Sequence, residues 1–256
     1  MISSRQRLIV ALDVSSSAEA QRIVAGLGGS VEIYKVGMQL FTAEGPQIVR
    51  DLVASGRKVF LDLKYHDIPN TVAAAVREAV QLGVSMLTVH ASGGTKMLRA
   101  ATEAAQSHLK TDADAPRAWT PGATRETAGL KVLAVTVLTS MDEQDVNDIG
   151  VQPQLSDQVV RLASLALGAG CDGVVSSARE VRALRTELGG EFLVVTPGVR
   201  PAGAVHGDQA RVVTPAEAIA AGATYIVVGR PITAAANPAV AVDQILQEVE
   251  ATAMAR

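Results

Sequence analysis

Cysteine is nearly absent from this sequence. A single one, Cys171, stands among 256 residues. That excludes an intrachain disulfide and a multi-cysteine metal site. Cys171 opens an apolar run, so it reads as a small buried hydrophobe. Aromatic residues are as scarce, at 3%, so a core must be built from Val, Ile, Leu and Ala. Such a mix suits parallel strands buried on both faces beneath Ala-rich helices. The formal net charge is only −3, and there is neither a long basic run nor an RNA-type aromatic motif, so no nucleic-acid partner is expected. No apolar stretch reaches the ~18 residues of a membrane span. The polar start, Met1 to Arg7, runs straight into a strand-like segment with no signal-peptide pattern. The expectation is a soluble, cytoplasmic protein with no membrane partner.

What is present is alternation. Short β-branched runs at Leu8–Asp13, Glu32–Gly37, Lys58–Lys64, Met86–His90, Val132–Leu138, Gly173–Ser176, Leu193–Pro197 and Tyr225–Gly229 read as eight buried strands. Between them lie helical segments at Ser16–Gly28, with Glu19 placed for a capping box, and at Thr42–Ser55 and Thr71–Leu82, closed by Gly56 and Gly83. Thr95–His108, Leu155–Leu167, Ala178–Leu188, Pro215–Ala221 and Pro238–Val249 complete the set. Eight uninterrupted βα units in a chain near ~250 residues predict an α/β fold, a single (β/α)8 TIM barrel covering residues 1–256 as one domain. An open dinucleotide-binding sheet would carry GxGxxG after its first strand, where this chain has Asp13-Val14-Ser15-Ser16. The irregular stretch Lys110–Gly129 precedes the fifth strand and reads as a surface excursion.

Barrel active sites lie at the C-terminal ends of the strands. There the sequence concentrates charge: Asp13 on strand one, Lys35 on strand two, Asp62 and Lys64 on strand three followed by His66 and Asp67, and His90 on strand four. Asp62 and Lys64 are two apart, so a regular strand turns both to one face. Opposite charges at a barrel mouth are costly to desolvate unless paired or used. Such a cluster fits proton transfer, against the plainer reading of an ion pair on a strand end. A second collection follows strands seven and eight, Thr196-Pro197-Gly198-Val199-Arg200 and Gly229-Arg230-Pro231-Ile232, where this fold usually holds phosphate. Gly229 permits close backbone approach, Arg230 offers a charged fork, and the short helix opened by Pro231 can turn its N-terminus to an anion. The alternative is an ordinary strand-to-helix turn with a surface arginine. The polar segment Arg200–Arg211 is a candidate lid.

These residues carry a family resemblance. Asp62-Leu63-Lys64-Tyr65-His66-Asp67-Ile68-Pro69-Asn70-Thr71 resembles the signature of the orotidine 5'-phosphate decarboxylase family, in its bacterial branch. Ala11-Leu12-Asp13, Tyr34-Lys35-Val36-Gly37, Thr136-Val137-Leu138-Thr139-Ser140, Thr196–Arg200 and Val228–Ile232 extend the likeness over nearly the whole chain. The resemblance implies a cofactor-free, metal-free decarboxylation of OMP to UMP. Lys64 would protonate C6, with Asp62 beside the substrate carboxylate and with Lys35 and Asp67 completing a catalytic Lys–Asp array. Asp13 and Lys35 would hold the ribose, and Thr139 and Ser140 would lie at the base. Gln209, Gly229 and Arg230 would grip the phosphate, Arg200 would anchor the closing loop, and Pro197 would be a further substrate contact. Asp67, Ile68 and Thr71 would reach into a neighbouring subunit, which implies a homodimer with shared sites.

A metal reading of His66 and His90 with the nearby carboxylates is weakened by Lys64, whose charge would repel a divalent cation. Both histidines read as structural, and His108 and His206 as solvated. A magnesium-dependent sugar-phosphate lyase would share Asp13, the Asp62/Lys64/Asp67 skeleton and the Gly229-Arg230 turn. The full strand-three segment together with Lys35 argues against it. A non-catalytic nucleotide-binding barrel would not need the charged array.

Overall fold

The computed structural model describes residues 3–107, 129–151, 154–189, 191–201 and 213–254. The excursion expected at Lys110–Gly129, apart from Gly129 itself, falls outside them, as do His108, His206, Gln209 and most of the candidate lid.

All eight expected strands form: β1 Leu8–Ala11, β2 Ile33–Gly37, β3 Lys58–Tyr65, β4 Met86–His90, β5 Lys131–Val135, β6 Gly173–Val175, β7 Leu193–Thr196 and β8 Tyr225–Val228. Each pairs in parallel with the next, and β8 pairs with β1, closing a barrel. Parallel strands need crossovers of a dozen or more residues, and the amphipathic segments between the strands provide them as an outer ring of helices.

The period of two along each strand sorts the core into layers. Ile9, Ile33, Phe60, Met86, Leu133, Val195 and Tyr225 meet inside the barrel. Leu8, Val10, Tyr34, Val36, Val59 and Leu61 face outward, into the larger cluster shared with the helices. The barrel is therefore filled rather than hollow below its mouth. Truncating Phe60, 1% exposed, would open a cavity there at a cost of about 3–5 kcal/mol. A Cβ on Gly173 would overlap the carbonyl oxygen of Leu193, so the close approach of β6 to β7 depends on glycine. Cys171 is buried as expected, and burial, reinforced by Asp172, pushes its thiol pKa up to about 12.

The structure corrects several boundaries. The helix expected over Thr42–Ser55 is two helices, Met38–Glu44 and Gln47–Ala54. Gly45 adopts φ +65 and Pro46 follows. Proline supplies no N–H and disfavours helical geometry in the residue before it, so the turn stops there. β5 ends at Val135 rather than Leu138, and the amide and the hydroxyl of Thr136 just beyond it both donate to the Val175 carbonyl. Ser16 caps the first long helix by accepting from the Glu19 amide.

Candidate active site

Four charged side chains stand in a line across the mouth. Lys35 Nζ lies 2.9 Å from Asp13 Oδ1 and 3.7 Å from Asp62 Oδ2, and Asp62 Oδ1 lies 2.9 Å from Lys64 Nζ. The inner pair is well shielded, with side-chain exposures of 12% for Lys35 and 14% for Asp62, whereas Asp13 is 54% exposed. The Lys35–Asp62–Lys64 contacts are thus the ones in which water weakens the charges least. Lys35 sits in mid-strand, since β2 runs on to Gly37. A Cβ at Gly37 would come within 3.0 Å of Lys35 Nζ and 3.5 Å of Asp13 Oδ1, so a residue without a side chain gives that ammonium its space.

Asp62 and Lys64 do meet, by a geometry other than simple alternation. Leu61 pairs with Leu87 and Tyr65 with Val89, so Asp62, Leu63 and Lys64 on β3 stand opposite Thr88 alone on β4. Lys64 has φ +52, the one positive value at a non-glycine among the described residues. The left-handed region costs an L-residue roughly 1–2 kcal/mol and persists where its surroundings over-determine it. Here the Lys64 amide donates to Thr88 Oγ1 at 2.9 Å, and Thr88 Oγ1 donates to Asp62 Oδ1 at 3.0 Å.

Asp67, Ile68 and Thr71 are exposed and lie off this line. The Asp67 carboxylate accepts from the Ile68 amide at 2.6 Å, and the helix Pro69–Gln81 starts just beyond. His66 and His90 face each other with ring centroids 5.3 Å apart. Burial, with His66 and Lys64 adding to it, pulls the pKa of His90 below its ordinary 6.5. Among the described residues, no group of three or more His, Cys, Asp or Glu side chains is arranged to hold a metal.

The charged line forms one wall of a cavity of about 540 Å³, within the range of small-molecule sites. Its floor and far side are apolar, with Phe60, Val135, Val137, Val175 and Val227. Thr139 and Leu138 belong to its rim, while Ser140 is exposed and outside the lining. Pro197, Arg200, Gly229 and Arg230 close the other end. The backbone returns to Arg200 at its base, where Arg200 N donates to Val213 O at 3.0 Å beside the bridge Val199–Val213. The short helix Arg230–Thr233 contributes less to anion binding than its position implies. Pro231 has no N–H, and the amides of Ile232 and Thr233 both donate to Gly229 O. Arg230 and the side-chain-free backbone at Gly229 both line the cavity at this end. Sequence reasoning missed Thr88 and Gln39, which lines the cavity and donates to Ser15 Oγ at 2.8 Å. Neither sits in a motif that announces it.

Comparison with known proteins agrees over the full barrel. Residues 6–245 match the orotidine 5'-phosphate decarboxylase / HUMPS family. Orotidine 5'-phosphate decarboxylase of Moorella thermoacetica is 48% identical over 248 residues, covering 96% of this chain and 93% of the relative. That of Syntrophotalea carbinolica is 47% identical over 251 residues, covering 98% of each. The crystal structure of orotidine 5'-phosphate decarboxylase from Lactobacillus acidophilus superposes with a TM-score of 0.78 at 38% identity, covering 94% of this chain and 98% of that one. A closed eight-stranded barrel with paired lysines and aspartates at its mouth, matched along nearly its whole length, belongs to the orotidine 5'-phosphate decarboxylase / HUMPS family.

Proposed function

We propose that this protein is an orotidine 5'-phosphate decarboxylase, converting OMP to UMP and carbon dioxide in pyrimidine biosynthesis. The supporting observation is the line Asp13–Lys35–Asp62–Lys64 at the cavity wall, joined to the near-full-length kinship with enzymes of that name. The apolar floor suits a pyrimidine ring, and the end formed by Arg200, Gly229 and Arg230 suits the 5'-phosphate.

In this reading the bond between C6 and the carboxyl carbon breaks, carbon dioxide leaves, and the electron pair remains on C6. The Lys64 ammonium stabilises that charge and transfers a proton to C6, then recovers one from solvent. Asp62, beside the substrate carboxylate, holds Lys64 by charge, and Lys35 fixes Asp62 from the other side while reaching the ribose together with Asp13. Ser140 contacts the base with Thr139 next to it, Pro197 is a substrate contact beside Arg200, and Gln209 joins the phosphate end. Phosphate binding, remote from the reacting bond, helps to organise the charged wall. The whole reaction runs within one barrel domain, in the cytoplasm, with neither metal nor cofactor.

The exposed Asp67, Ile68 and Thr71 are assigned to the active site of a second subunit in a homodimer. Mixing Lys64→Ala with Asp67→Ala subunits, each inactive alone, is expected to restore about a quarter of wild-type specific activity, because half of a random mixture is hybrid and each hybrid has one intact site. No recovery after demonstrated subunit exchange would remove the shared site. The function itself is tested by following OMP absorbance with EDTA-treated protein. Turnover without added metal is expected. Absence of turnover by folded protein, with activity on a sugar phosphate once magnesium is supplied, would identify the rival lyase instead.

A further inference from the structure

We infer that Thr88 is a positioning residue for the decarboxylation, the part that holds Lys64 and Asp62 in reacting geometry; this rests on the reading of that pair given above. β4 presents Met86, Thr88 and His90 in alternation, with Met86 packed inside the barrel, and Thr88 is 0% exposed. A threonine at this depth buries a hydroxyl, which is unfavourable unless its hydrogen bonds are satisfied. Both are, and both go to the pair. The hydroxyl oxygen accepts from the Lys64 amide and its hydrogen points to Asp62 Oδ1, the same oxygen that meets Lys64 Nζ.

The bulge explains why such a residue is needed. In a regular parallel ladder the Lys64 amide would find a backbone carbonyl, but here three residues of β3 face one of β4. A side-chain hydroxyl takes the place of the carbonyl. It ties the backbone conformation of Lys64, at φ +52, to the carboxylate that the Lys64 ammonium must engage. One group thereby sets the position of the proton donor from its backbone end and of Asp62 from its carboxylate end.

The test compares Thr88→Val, Thr88→Ser and Lys64→Ala with wild type, all EDTA-treated, measuring kcat and KM for OMP and thermal stability. Thr88→Val keeps the shape and removes the hydroxyl. Its kcat is expected to fall roughly 10–100-fold, as misplacement of a reacting group does, with KM within about threefold. Thr88→Ser is expected to recover most of kcat. A purely structural role would lower the melting temperature and leave kcat per folded site unchanged, and that result overturns the proposal. So does a fall confined to KM, or a serine variant no better than valine. Should Thr88→Val fail to fold, Thr88→Ala against Thr88→Ser gives the same contrast. Wild-type turnover that survives Lys64→Ala would instead defeat the underlying reading of the pair, and the positioning role with it.

Discussion

Strands β1 to β3 bring Asp13, Lys35 and Asp62 to the mouth of the barrel, backed by Thr88 of β4, whereas β5 to β8 bring Val135, Val175, Pro197 and Gly229. The same architecture thus ends in two unlike walls. On the first, every charge is answered by a neighbour within the chain, so its geometry is set before a ligand arrives. The second offers apolar surface and an arginine-bearing turn, to which the proposed function assigns the substrate's ring and phosphate. Preorganised charge on one side and a binding surface on the other is the division expected when transition-state stabilisation and substrate affinity come from different residues.

Substitutions on the two walls should separate accordingly. Lys64→Ala is expected to lower kcat by roughly ten-thousand-fold or more, since under the proposed mechanism it removes both the proton donor and the cation facing the developing charge; steady-state kinetics with circular dichroism to confirm folding would check it. Arg230→Ala should lower kcat/KM by roughly 10–100-fold, mainly through KM, as expected for loss of charge-assisted bonds to phosphate. Gly37→Ala places a methyl 3.0 Å from Lys35 Nζ. Because that ammonium is the flexible end of its side chain, the cost should be only about two- to fivefold in kcat, read from the same assay.

The smallest effect concerns His90, next to the charged wall. Its pKa lies below 6.5 in the folded protein, chiefly through burial, so the unfolded chain binds a proton more readily than the folded one. Stability should therefore rise with pH up to about 6.5 and be lost as pH falls through the same window. Melting temperatures across that range should lose part of this slope in a His90→Gln variant, and an NMR titration should place the His90 midpoint below 6.5.

The contrast between the walls also marks what the sequence made legible. Asp13, Lys35, Asp62 and Lys64 interrupt runs of Val, Ile and Leu, so their unusual setting is visible without a structure. Thr88 lies in Leu87-Thr88-Val89, where threonine is an ordinary strand former, and its role emerges only once the β3 bulge is seen. Strict alternation predicted that Asp62 and Lys64 share a face. They meet instead through a left-handed lysine backbone, which no periodicity encodes. The helix break at Gly45-Pro46 was written in the chain, and the single helix expected over Thr42–Ser55 ran across it. Asp67, Ile68 and Thr71 are exposed in the single chain, and the role proposed for them depends on a second subunit that one chain does not contain.

The division of labour is tested most directly by calorimetric titration of UMP into the Lys64→Ala and Arg230→Ala variants. Lys64→Ala, despite its lost turnover, is expected to bind UMP within severalfold of wild type, while Arg230→Ala binds at least about tenfold more weakly. Loss of UMP affinity in Lys64→Ala comparable to its loss of rate would contradict the account.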